Sequence, residues 1–151
     1  MGIEKENING FTDNDLLFFY IDIILQYESE WKNGEFHSNS DYQEYCKKKS
    51  IIQIGRTKKL KQKVDEEYDR EYKSSNGFLW LYYNDNNSKP IELLNRIRNC
   101  LAHGDYDYYE KNKIKYIRFE HVYRRDLKVI GFLSISELKH LIDIASRCMI
   151  N

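Results

Sequence analysis

The sequence predicts a mainly α-helical fold, a bundle of four or five helices with one small antiparallel β-hairpin before the C-terminal helix. Three observations carry that expectation. Apolar residues recur at helical spacing in residues 16–31, 90–104 and 134–149. Between residues 116 and 133 the period changes from 3.6 to 2, as a hairpin requires. A chain of 151 residues with one proline, no internal repeat and no low-complexity linker fits one core, so residues 1–151 read as a single domain.

Residues 1–11 read as a frayed lead-in. Thr12 with Asp15 has the form of a capping box, and Leu17, Tyr20, Ile21, Ile24, Tyr27 and Trp31 follow on one helical face. Asn33, Gly34 and the polar residues up to Asp41 form a loop. Residues 41–73 then read as helical with a break or bend near Gly55, and Leu60, Val64, Tyr68 and Tyr72 make a thin apolar stripe. The aromatic run 78–83, between Asn76-Gly77 and the asparagines up to residue 87, reads as a helical turn plugging the bundle. Ser88 and Pro90 can start a helix of roughly 14 residues that Gly104 stops. Its Leu93, Leu94, Ile97, Cys100 and Leu101 fall within an arc of about 120°, a core stripe. In the hairpin, Ile117, Phe119, His121 and Tyr123 alternate with Tyr116, Arg118, Glu120 and Val122; residues 124–126 turn, and 127–133 return. Ser134 with Glu137 caps the last helix, whose stripe is Leu138, Leu141, Ile142, Ala145, Cys148 and Met149.

Composition excludes several classes. Lysine plus arginine balances aspartate plus glutamate at 24 each, so bulk charge does not select a polyanionic partner. No apolar run approaches the roughly 18 residues of a membrane span, and residues 1–10 carry no signal-peptide core, so the expected setting is cytoplasmic, without a membrane partner. Cys46, Cys100 and Cys148 have neither CxxC spacing nor histidines at ligand spacing. They read as reduced, buried thiols, and no metal or cofactor is expected. Thirteen tyrosines and seven phenylalanines could serve core, interface or base stacking, with core the default.

Opposite the core stripe of the 90–104 helix lie Arg98, Asn99 and His103, with Ala102 small enough to let another surface approach. Arg98, Asn99 and His103 resemble the signature of the HEPN families, a likeness that implies RNA as substrate, and cleaving RNA without a metal needs a group to take the 2′-OH proton, a group to protonate the leaving 5′-oxygen, and positive charge on the phosphate. Histidine can fill either proton role near neutral pH, and arginine presents a fork that matches phosphate oxygens. Here His103 would be the acid or base, Arg98 the clamp and Asn99 an orienting partner. Arg98 and His103 are 140° apart on an ideal helix, so one protomer has a single histidine and a distant arginine; two copies about a two-fold axis would supply the rest. A second feature is basic: Lys47, Lys48, Lys49, Arg56, Lys58, Lys59, Lys61 and Lys63 include no acid between them. That run is either a solvated helix face or an RNA-binding track for phosphates, for which Lys47, Lys48, Lys49, Arg56, Lys58 and Lys59 are the candidates.

The string Arg98-Asn99-Cys100-Leu101-Ala102-His103-Gly104 resembles the signature of the HEPN families, an arginine and a polar residue followed by a histidine near a helix end. It is close to the form seen in small stand-alone toxin and defence members. The resemblance implies a helical bundle, a homodimer with the motif at its interface, RNA as substrate, and a role as a toxin or anti-phage effector. HEPN toxins paired with a nucleotidyltransferase antitoxin often carry a tyrosine two residues after the histidine. Here Asp105 holds that place and Tyr106 follows, which makes Tyr106 the candidate for modification by an antitoxin partner. The alternative is a non-catalytic HEPN module that dimerises or binds a nucleotide or a protein.

Overall fold

The computed structural model describes residues 10–150. Thr12 opens the first helix with a capping box: its hydroxyl accepts from the Asp15 N–H, and its own N–H donates to the Asp15 carboxylate, both at 3.1 Å. Helix α1 (Asp13–Leu17) runs through a π-helical stretch, Phe18–Leu25, into α2 (Gln26–Ser29). Then come β1 (Glu35–Phe36), α3 (Ser40–Lys48), β2 (Ile51–Ile54), α4 (Thr57–Ser74), β3 (Phe78–Tyr82) and α5 (Lys89–His103). Strands β4 (Tyr106–Lys111), β5 (Ile114–Tyr123) and β6 (Asp126–Ser134) lead to α6 (Ile135–Ser146) and β7 (Met149–Ile150). The lead-in expected over residues 1–11 lies, up to residue 9, outside the described residues. Phe11 at its end is fully buried, packing on Phe19, Tyr106 and Tyr108.

Five strands make one sheet in the order β2-β3-β6-β5-β4, parallel between β2 and β3 and antiparallel elsewhere, while β1 and β7 pair separately. The fold is therefore α/β, and the expectation of a mainly helical bundle with a single hairpin is corrected. On one sheet face Leu79, Leu81, Ile117, Phe119, Val129 and Leu133 pack against α3, α5, α6 and the π-helical stretch. On the other, Phe78, Trp80, Tyr116, Ile130 and Phe132 pack under α4 through Leu60, Val64, Tyr68 and Tyr72, the stripe its sequence shows.

Each departure has a physical cause. The run 78–83 is a strand, not a helical turn, because β3 is central and buried on both faces, so polar residues never alternate with apolar ones. A short unbroken apolar run has no period that separates strand from helix. Within 41–73 the helix breaks near Gly55, as expected, but the break holds a strand, β2. Ser50 takes a left-handed φ of 56°, and Ile51–Ile54 cross to pair with β3. Three isoleucines in four residues suit a pleated, half-buried surface. Strand β4 was hidden because Tyr106–Lys111 mixes aromatic and charged residues at a sheet edge. It closes on β5 through Asn112 and Lys113, both at positive φ (53° and 64°), and β5 closes on β6 through Arg124 and Arg125 (52° and 70°). Positive φ at both central residues is the hairpin turn whose twist matches its strands. Gly131 is the tightest point of the sheet: at φ 143°, a Cβ there would overlap the Phe78 carbonyl oxygen across the β3–β6 ladder.

Candidate functional site

Helix α5 spans the predicted residues, with Pro90 in its first turn and Gly104, at a left-handed φ of 73°, at its end, but the Ser88 hydroxyl before it is buried and makes no capping hydrogen bond among the described residues. Leu93, Leu94, Ile97, Cys100 and Leu101 are all buried. Past the glycine, the Asp105 N–H donates back to the Cys100 carbonyl at 2.8 Å, and the Asp105 carbonyl accepts from the Glu120 N–H at 3.3 Å. The end of α5 is thus fastened to itself and to β5.

Arg98 and His103 emerge on different sides of this helix and meet different neighbours. The Arg98 guanidinium pairs with the Glu28 carboxylate at the end of α2, donates to Asn99 Oδ1 at 2.7 Å and lies 5.3 Å from the Tyr27 ring centre. Its Nε is buried without a hydrogen-bond partner among the described residues. Because Asn99 accepts through its oxygen, its NH2 is left to donate elsewhere. His103 is exposed, and its ring stacks on that of His121, with centroids 5.8 Å apart and planes 17° apart. His121 is 5% exposed, and its Nδ1 lies 2.5 Å from Asp105 Oδ2. The register of β5 against β6 shifts between His121 and Val122, a bulge of the kind that re-aims a side chain.

The basic run is split in two. Lys47, Lys48 and Lys49 precede β2 at the end where Lys49 pairs with Glu137 at 3.4 Å, whereas Arg56, Lys58 and Lys59 follow β2 at its other end. Lys61 and Lys63 are paired within α4, to Asp65 and Glu67. Arg56 and Lys58 line a cleft of about 410 Å³ with Tyr82, Asp126 and Lys128. Pairing of Tyr123 with Asp126 and of His121 with Val129 puts this cleft at the end of the sheet that carries His121. Over the Tyr82 ring sit two further cations, Lys128 Nζ at 4.2 Å and the Arg96 guanidinium at 5.0 Å from its centre. Burial and the neighbouring Arg96 charge hold the Lys128 ammonium below the ordinary lysine range.

Tyr106 begins β4 with its ring half-buried against Phe11 and Phe19 at 5.7 and 5.6 Å, and burial pushes its phenol up. Cys46, Cys100 and Cys148 are free and buried. No helix among the described residues is long and apolar enough to cross a membrane.

Sequence reasoning gives no site role to Glu28, Tyr27, Asp105, His121, Arg96 or Lys128. A signal existed only for His121, a histidine in line with Ile117 and Phe119 on the inward side of an alternating strand. Apart from Asn99 beside it, Arg98 finds its partner Glu28 on a helix 70 residues away, and nothing in the spacing announces it.

A family model described as HEPN pEK499 p136 matches residues 14–151, which includes every element above from Asn14 onward. The chain belongs to that HEPN family. No curated protein and no solved structure matches it.

Proposed function

We propose that the protein is a metal-independent endoribonuclease of the HEPN type, acting as a toxin or anti-phage effector in the cytoplasm. The observation that supports this most is an exposed His103 at the end of α5, on the side away from the core stripe and one turn beyond the Arg98–Asn99 pair. In the reaction, His103 as base takes the proton of a 2′-OH while the O2′–P bond forms and the P–O5′ bond breaks. His103 of a second copy, in its protonated form, delivers a proton to O5′, leaving a 2′,3′-cyclic phosphate and a 5′-hydroxyl. Arg98 offsets charge on the phosphate, and the Asn99 NH2 donates to it.

Arg98 and His103 diverge, so the complete site is assembled from two copies joined through the Arg98/His103 face. The helical run that carries Glu28 and ends at Ser29 leaves Leu17, Tyr20, Ile21 and Leu25 53%, 54%, 48% and 43% exposed, although the spacing of the first three predicts a core face. A row of half-exposed large apolar residues is what a covered interface would use. RNA would approach over Arg56, Lys58 and Lys59, at the His121 end of the sheet, with Lys47, Lys48 and Lys49 engaging only a longer strand. Modification of Tyr106 by an antitoxin partner would require its ring to leave Phe11 and Phe19.

A second reading is favoured by the Arg98–Glu28 pair. An arginine already neutralised inside its own protomer suits a non-catalytic HEPN module that dimerises or binds a nucleotide or a protein. Incubating purified protein with mixed RNA in EDTA, beside His103→Ala, separates the two. Cleavage by the first and not the second supports the ribonuclease; none by either supports the binding module.

A further inference from the structure

His103 makes no side-chain hydrogen bond among the described residues, and the surface it touches is the ring of His121. An exposed histidine held by nothing would turn through its rotamers and lose the fixed orientation on which proton transfer depends. Beneath it the arrangement is over-determined. His121 is buried and gripped by Asp105 at 2.5 Å, and Asp105 is itself fixed through its N–H to Cys100 and its carbonyl to Glu120. The β5 bulge falls beside His121.

We propose that His121, clamped by Asp105, is the positioning residue of His103: its buried ring is the floor on which the exposed imidazole stacks, fixing the plane in which His103 meets RNA. This rests on the ribonuclease reading for its chemistry, but the stack can be read without any reaction. Because the rings are nearly parallel and offset, with centroids 5.8 Å apart and planes 17° apart, His121 acts through packing and orientation, not by passing a proton along a hydrogen bond. A flat ring of similar width without a titratable nitrogen should therefore serve.

The test compares wild type, His121→Ala, His121→Phe and Asp105→Ala as purified full-length proteins. Cleavage should show kcat falling about 10²-fold in His121→Ala with KM little changed, the cost typical of a misplaced catalytic group. His121→Phe should restore most of that loss, and Asp105→Ala should fall between them because the ring is released from its clamp. In parallel, proton NMR should show a ring-current shift of the His103 ring protons that His121→Ala removes and His121→Phe retains. If His121→Ala melts at a lower temperature but keeps its kcat, the pair merely ties α5 to β5 and the proposal falls. If His121→Phe is as impaired as His121→Ala, the nitrogens of His121 matter and positioning by the ring is wrong. If wild type cuts no RNA, the ribonuclease reading fails by itself. The NMR shift then decides this inference, its absence from wild type overturning the stack and its presence upholding it.

Discussion

Helices α4 and α5 cover opposite faces of the same sheet, and their charged residues draw on different partners. In α4 the charges are matched within the helix, Lys61 to Asp65, Lys63 to Glu67 and Arg70 to Glu67. In α5 Arg96 is also paired within the helix, to Glu92, and Arg98 donates to Asn99, but Arg98 in addition meets Glu28 of α2 and His103 meets His121 of β5. Pairs at i,i+4 on a solvated helix contribute a few tenths of a kcal/mol and fix nothing beyond it. Partners drawn from distant parts of the chain require the whole fold to hold them, which is the condition a site must meet. Polar density alone would have favoured α4; the origin of the partners favours α5.

The contrast can be broken first at the chemistry. His103→Ala should lower RNA cleavage by at least about 10²-fold, the usual cost of losing a proton-transfer group, while Lys61→Ala should leave it unchanged. Comparable losses in both would erase the distinction. Next comes the packing of α4. Leu60 is fully buried beneath it, and Leu60→Ala should cost about 2–5 kcal/mol in denaturant unfolding yet leave activity per folded molecule intact. A loss of kcat in the folded fraction would show that the α4 face reaches the site.

How much of this was legible follows the same divide. The caps at Thr12, Ser134 and Gly104 and the buried stripe of α5 are local, written within a few residues, and were readable. The hydrogen bonds of the Ser134–Glu137 box, 3.1 Å in both directions, sit where the spacing places them. The parallel β2–β3 pair was not readable, because Ile51–Ile54 and Phe78–Tyr82 have meaning as strands only once α4 has carried the chain from one to the other. Around the candidate site, the placement of Arg98, Asn99 and His103 off the core stripe of one helix was legible, whereas the contacts of Arg98 with Glu28 and of His103 with His121 arise only in the tertiary fold.

The split basic run gives a sharper comparison. Lys58→Glu with Lys59→Glu, at the His121 end of the sheet, should weaken RNA binding and flatten its salt dependence more than Lys47→Glu with Lys48→Glu does. Equal effects from the two pairs would restore a single continuous track. Binding isotherms at several salt concentrations read this directly.

A smaller effect concerns pH. Burial pushes the Cys46 thiol up to about 11 and the Tyr45 phenol to about 12, from ordinary values near 9 and 10. Both folded values are raised, so the stability these groups contribute in their protonated forms is whole below about pH 9. It is lost as pH rises from there through 11 to 12. Melting temperature should hold up to about pH 9 and fall beyond it, and native Cys46 should resist alkylation at pH 8. Rapid labelling of the folded protein would contradict the burial.

The central claim is that His103 and Arg98 cut RNA through the substrate's own 2′-OH, and mapping the ends of the products tests it most directly. With EDTA present, the account predicts 2′,3′-cyclic phosphate or 3′-phosphate ends with 5′-hydroxyls, and no cut where the scissile ribose is 2′-O-methylated. Products with 5′-phosphates, or activity that vanishes in EDTA and returns with Mg²⁺, would contradict it.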